Sequence, residues 1–143
     1  MSRSSVRPRG QRMARLRPIG LLCDVVVVLL FVGIGRSNHH HGLRLGGFVS
    51  TTWPFAIGLG LGWLVVTVWP GAAPGGGSSV KGGMVVTVTT VAVGMILRVW
   101  AGQGTAVAFV IVALVFLGAT MTGWRFLMAH VNRRKPAKAG SPQ

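Results

Sequence analysis

Four stretches of the chain are almost free of charge, and polar or turn-forming residues separate them. They cover about residues 18–35, 46–69, 83–100 and 105–127. The hydrocarbon core of a bilayer is about 30 Å thick and takes roughly 20 helical residues to cross. Each stretch is therefore a predicted transmembrane helix. The runs Val25-Val26-Val27-Val28 and Met84-Val85-Val86-Thr87-Val88 would suggest strands in water. In lipid the backbone must satisfy its own hydrogen bonds, which leaves helices or closed barrels, and barrel strands alternate in polarity. These stretches do not alternate. The expected fold class is all-α: a polytopic membrane protein with four transmembrane helices.

Composition agrees. Of 143 residues, 50% are hydrophobic and 11% charged, too few charges to cover the surface of a soluble domain. Fifteen Lys+Arg stand against one acid, Asp24. Most cations lie at the ends: Arg3, Arg7, Arg9, Arg12, Arg15 and Arg17 before the first span, and Arg125, Arg133, Arg134, Lys135 and Lys138 late in the chain. Lys and Arg near spans favour the cytoplasmic side, so both termini are expected in the cytoplasm. Arg36 and Arg44 in the first loop dissent mildly, against Lys81 in the second. The expected organisation is a disordered basic tail over 1–17, a membrane domain over 18–128 with a flexible Gly/Ser linker over 70–82, and a second disordered basic tail over 129–143. Met13 is a second candidate start. The basic tails explain the +14 net charge through anionic lipid rather than nucleic acid. No A-x-A-like cleavage site follows the first span, and the single Cys23 permits no intrachain disulfide.

The linker divides the spans into two pairs, and the pairs share residues. Val25, Val27, Val32-Gly33, Phe48-Val49, Phe55 and Gly62-Trp63 recur as Val86, Val88, Val93-Gly94, Phe109-Val110, Phe116 and Gly123-Trp124. Two helix pairs of equal orientation would be related by an axis along the membrane normal. In a chain so rich in Val, Gly and Leu the excess over chance is small, and common ancestry of the halves stays open.

Several of these residues also form a recognisable set. Asp24 early in the first span, then Gly33-Ile34-Gly35-Arg36-Ser37 and a following His, then Thr52-Trp53-Pro54-Phe55, occur in that order. The second half has Val93-Gly94-Met95-Ile96-Leu97-Arg98, then Gly102-Gln103-Gly104-Thr105-Ala106 and Phe109-Val110. Over roughly residues 19–128 the chain resembles the uncharacterised bacterial membrane family known as domain of unknown function 3054. Where relatives often carry an acid soon after the His, this chain has His40-His41. The resemblance implies a small integral membrane protein and supplies no catalytic residues.

Polar residues inside a membrane are functional candidates by default. Asp24 and Arg125 fall at similar depth near the cytoplasmic end, and an ion pair between them is the leading expectation. At the other end, Arg36 closes the first helix and Arg98 nears the end of the third. Cationic side chains there can simply meet the last carbonyls and reach the interface. The sharper reading is an outward-facing anion or lipid head-group site of Arg36, Arg98 and Gln103, with Thr52 reaching in from a helix bent at Pro54. Gly58 and Gly62 form a small-xxx-small face, expected to receive Gly118 and Thr122 of the fourth helix. Trp63, Trp69, Trp100 and Trp124 read as interfacial anchors. Adjacent His39-His40-His41 cannot all turn to one ion, so no metal or other cofactor is expected.

Three function classes follow. A structural or accessory subunit, packing with other membrane proteins through its glycine faces, ranks first. A small oligomeric transporter or channel with the Arg36/Arg98 anion site ranks second. An enzyme ranks last and is not expected, because one Asp, no Glu and one Cys leave no acid–base, nucleophile or metal set. The expected partners are the bilayer with its anionic lipids and either a second copy or another membrane protein.

Overall fold

Helices apolar enough to cross a membrane gain little from the hydrophobic effect there, so close packing and polar contacts are what can join four such spans. The computed structural model describes residues 9–37, 45–69 and 71–133. These form helices α1 (Arg9–Ser37), α2 (Leu45–Val68), α3 (Val80–Trp100) and α4 (Val107–Arg133), with a 3₁₀ turn, Gly76–Ser78, ahead of α3. Among the described residues there is no strand. The apolar spans are Pro18–Arg36, Leu45–Val68, Val80–Trp100 and Val107–Val131, each long enough to cross a bilayer.

Two boundaries differ from expectation. Residues 9–17 and 129–133, expected in disordered tails, continue α1 and α4. The Arg, Gln, Met, Ala and Leu residues over 9–17 are good helix formers, and a helix begun in hydrocarbon need not stop at its border. The rest of the two tails (1–8 and 134–143), the His39–His41 loop with Asn38 and Arg44, and Pro70 lie outside the described residues.

The bundle has its apolar side chains outward as well as inward. Leu22, Leu30, Ile96, Val115 and Leu127 are all more than half exposed, an outer surface suited to lipid. Inside, Val28, Phe31 and Val32 of α1 meet Phe55, Leu59 and Val66 of α2, Val86 and Val91 of α3, and Ala113, Leu117 and Met121 of α4. Phe31 is the aromatic centre, with ring centroids 5.6 Å from Phe55, 5.6 Å from Phe109 and 5.7 Å from Phe116.

The tightest seam joins α2 to α3. A β-carbon on Gly58 would sit 2.6 Å from the Thr90 carbonyl oxygen, and one on Gly62 would sit 3.0 Å from the Val86 Cα. The glycine face of α2 therefore receives α3 and not Gly118 and Thr122 of α4. Gly118 looks toward the Thr87 methyl of α3 at an ordinary 3.9 Å, and Thr122 is half-buried on α4. The four-residue spacing marks a face able to pack closely and does not name the helix that it meets.

The Gly/Ser linker is also built rather than slack. Ser79 caps α3, its hydroxyl accepting from Gly82 N at 3.0 Å and donating to Gly76 O at 2.8 Å. Gly77 is buried so closely under the Trp63 indole that a β-carbon would lie 2.5 Å from the ring. Ala73 is 1% exposed.

A methyl group tests the α2–α3 seam directly. Gly58→Ala drives its β-carbon into the Thr90 backbone and is expected to cost about 1–3 kcal/mol of overpacking. Gly60→Ala meets nothing within 4 Å and gains helix propensity instead. Unfolding of both variants in mixed micelles should show Gly58→Ala alone destabilised; equal stability of the two would refute the seam.

Candidate functional site

A lone carboxylate in hydrocarbon needs charge and hydrogen bonds around it. Asp24, 0% exposed, has both. Arg125 of α4, 1% exposed, approaches it side-on: Nη2 donates to Oδ2 at 2.5 Å and Nη1 to Oδ1 at 2.9 Å. The Trp63 indole N–H donates to Oδ2 at 3.0 Å and the Trp124 indole N–H to Oδ1 at 3.1 Å. Each carboxylate oxygen thus accepts one guanidinium and one indole hydrogen. The remaining guanidinium edge is used too, with Nε donating to Gly77 O at 2.7 Å and Nη1 also to Met121 O at 2.5 Å. The guanidinium carbon lies 4.5 Å from the Trp124 ring centroid, a favourable cation–π distance. On α3, Gly83 leaves room for the Arg125 side chain, since a β-carbon there would meet Cδ at 2.6 Å.

Trp63 and Trp124 are accordingly not simple interfacial anchors. Trp63 is buried and Trp124 half-buried, both turned to Asp24, whereas Trp69 and Trp100 are exposed at 71% and 83%. The recurrence of Gly62-Trp63 as Gly123-Trp124 has a structural counterpart, one indole on each oxygen of a single carboxylate. Phe55 and Phe116, another recurring pair, both pack on Phe31. The symmetry is incomplete: Gly62 is pressed against α3, while the space beside Gly123 is open.

Twelve residues further along α1, about 18 Å at 1.5 Å per residue, the opposite end holds a cavity of about 550 Å³. Arg36, Arg98 and Gln103 all line it, with Phe31, Val32, Gly35, Thr51 and Phe109 among its other walls. Arg98 Nη1 donates to Gln103 Oε1 at 3.0 Å, and Nη2 reaches the Gln103 and Gly104 carbonyls at 3.5 and 3.4 Å. Arg98 Nε is buried without a hydrogen-bond partner. Its guanidinium carbon sits 4.7 Å from the Phe109 ring centroid. Arg36 Nη1 donates to Thr51 Oγ1 at 3.3 Å, and Arg36 packs so closely on Gly47 that a β-carbon there would collide with the guanidinium.

Local sequence explains how the cavity is held. Pro54 has no N–H, so the carbonyl of Ser50, four residues earlier, loses its intrahelical donor. Gln103 Nε2 replaces that donor, at 2.7 Å from Ser50 O. With its amide oxygen on Arg98 and its amide nitrogen on Ser50, Gln103 ties the α3–α4 turn to α2. The turn can fold back this far because Gly102 and Gly104 adopt positive φ of 67° and 69°, which side-chain-bearing residues rarely do.

One expected member is placed elsewhere. Thr52 donates to Phe48 O at 2.8 Å and lines a separate, smaller groove between α1 and α2. Thr51 takes its place in the cavity, because neighbouring helical residues point about 100° apart. Sequence reasoning also missed Phe31 and Phe109 as walls and Gly47 as the bed of Arg36. The recurrence of Phe48-Val49 as Phe109-Val110 was the available signal for Phe109. Among the described residues no His, Cys, Asp or Glu group could hold a metal ion.

The carboxylate cluster predicts a strong coupling. Asp24→Asn and Arg125→Gln should each destabilise the protein, toward the roughly 3–5 kcal/mol seen when one partner of a buried pair is removed. The double variant should lose clearly less than their sum. Additive losses in a double-mutant cycle of unfolding free energies would mean that the pair is not the clamp it appears in geometry.

Comparison with known proteins gives one assignment. Neither the curated proteins nor the solved structures gave a match. A family model matches residues 21–128, a stretch that contains both the Asp24 cluster and the Arg36/Arg98 cavity. The chain belongs to the family described as protein of unknown function (DUF3054), and it is a four-helix protein with the lengths and apolarity of membrane spans.

Proposed function

We propose that this protein binds an anion in the membrane, at the cavity between Arg36 and Arg98. One observation carries the reading: two guanidinium groups line a common 550 Å³ cavity in a chain whose only acidic side chain is already held by Arg125 at the other end. Arg98 Nη1 and Nη2 donate to neutral oxygens, and Nε is a buried donor without an acceptor. A carboxylate or phosphate would supply both acceptor and charge, and Arg binds such groups in a planar, two-bonded fashion. An accessory-subunit role has less support than the sequence suggested. Gly58 and Gly62 are packed within the chain against α3, which leaves that glycine face closed to a second protein.

The basic ends of the chain favour a cytoplasmic location for both termini, which would make the cavity face the outside of a bacterial cell membrane. In a Cys23→Ala background, a cysteine at exposed Ala101 should react with an impermeant thiol reagent in intact cells, and one at Val131 should not. The reverse pattern would put the cavity on the cytoplasmic side.

Binding itself is read by thermal unfolding of the purified protein in neutral detergent, with phosphate, acetate and alkyl phosphates as probes. At least one should give saturable stabilisation, about 2.7 kcal/mol at a hundredfold excess over its Kd, lost in both Arg36→Gln and Arg98→Gln. Stabilisation by none of them, or equal stabilisation of the variants, refutes the anion site.

A further inference from the structure

We infer that the anion is the head of an amphiphile, an acid carrying a hydrocarbon chain, and not a small water-soluble ion. The inference rests on the anion reading above and concerns what fills the remainder of the same cavity.

Arg36, Thr51, Arg98, Gln103 and Thr105 give the cavity its polar part, while Phe31, Val32, Ala106 and Phe109 give it apolar wall, and the apolar part is the larger. A water molecule's share of liquid volume is about 30 Å³, so a cavity of 550 Å³ has far more room than phosphate or acetate occupies. A small ion on the guanidinium groups would leave the rest filled with water against Phe31 and Phe109. A hydrocarbon chain satisfies those walls, and ligand sites of this size are typically mostly apolar with a few fixed polar groups.

The surroundings also suit a ligand that arrives from the bilayer. Gly35 lines the cavity from α1, and a β-carbon there would meet no atom within 4 Å. On the helices that carry Phe31 and Phe109, the neighbouring Leu30, Ile34, Val107 and Ile111 are all at least half exposed apolar residues, as in a surface bathed in lipid tails. A chain lying between them stays in hydrocarbon while its head reaches the guanidinium groups. The head group could belong to a bilayer lipid or to a free single-chain acid, and the chemistry presented to the protein is the same.

Thermal unfolding in nanodiscs of neutral lipid distinguishes the cases. Dodecyl phosphate and laurate are compared with inorganic phosphate and acetate, and a further nanodisc contains phosphatidate. Each methylene removed from water favours association about fourfold, so the long-chain acids should saturate at concentrations on the order of 100-fold or more below their short counterparts. Stabilisation by phosphatidate as well would identify a bilayer lipid as the source; stabilisation by the single-chain acids alone would identify a free acid. Gly35→Leu should weaken dodecyl phosphate about tenfold or more while the ligand-free protein melts at or above the parent temperature. If phosphate and acetate stabilise at the same concentrations as the long-chain acids, and do so only with Arg36 and Arg98 present, the amphiphile inference is overturned and the anion site stands. If no acid of either kind stabilises, both fall.

Discussion

The Asp24 carboxylate is the constraint on which the bundle depends. A charge that cannot reach water must be matched where it is, and here four donors converge on two oxygens. Those donors come from α2 and α4, so the acid on α1 cannot be satisfied until three helices are in place. Arg125 extends the requirement to the segment before α3 through Gly77 O, and Gly83 opens the face of α3 that the arginine stem needs. In a solvent that offers helices no hydrophobic reason to associate, such a network specifies one arrangement because any other strands a charge. The Phe31 cluster and the Gly58/Gly62 seam then add close packing around an arrangement already chosen.

The two ends of the bundle treat positive charge in opposite ways. At the Asp24 end, Arg125 has a carboxylate, two carbonyls and an indole face. At the other end, Arg98 has an amide, two carbonyls and a phenyl ring, which orient the guanidinium without neutralising it. The first set is internally complete. The second positions a charge and supplies no counter-charge of its own, which is the feature the proposed anion site rests on. Pro54 links this end to the helix framework by freeing the Ser50 carbonyl that Gln103 then holds.

Local chemistry along the chain determined the spans, because whether a segment can cross hydrocarbon depends on its own length and side chains. It also determined which polar residues share a depth: helix rise alone puts Asp24 near Arg125 and Arg36 near Arg98. What only the tertiary structure decided were the lateral relations. A small-residue face says that something packs closely, and not that α3 does. Which of Thr51 and Thr52 enters the cavity turns on about 100° of helix rotation, set by packing. The glycine-rich linker is free to be flexible by composition, yet Trp63 above Gly77 and Arg125 on its carbonyl give it a single place. The indoles of Trp63 and Trp124 look like interface anchors until Asp24 stands between them, because an amphipathic ring serves either lipid head groups or a buried acid and only its neighbours determine which.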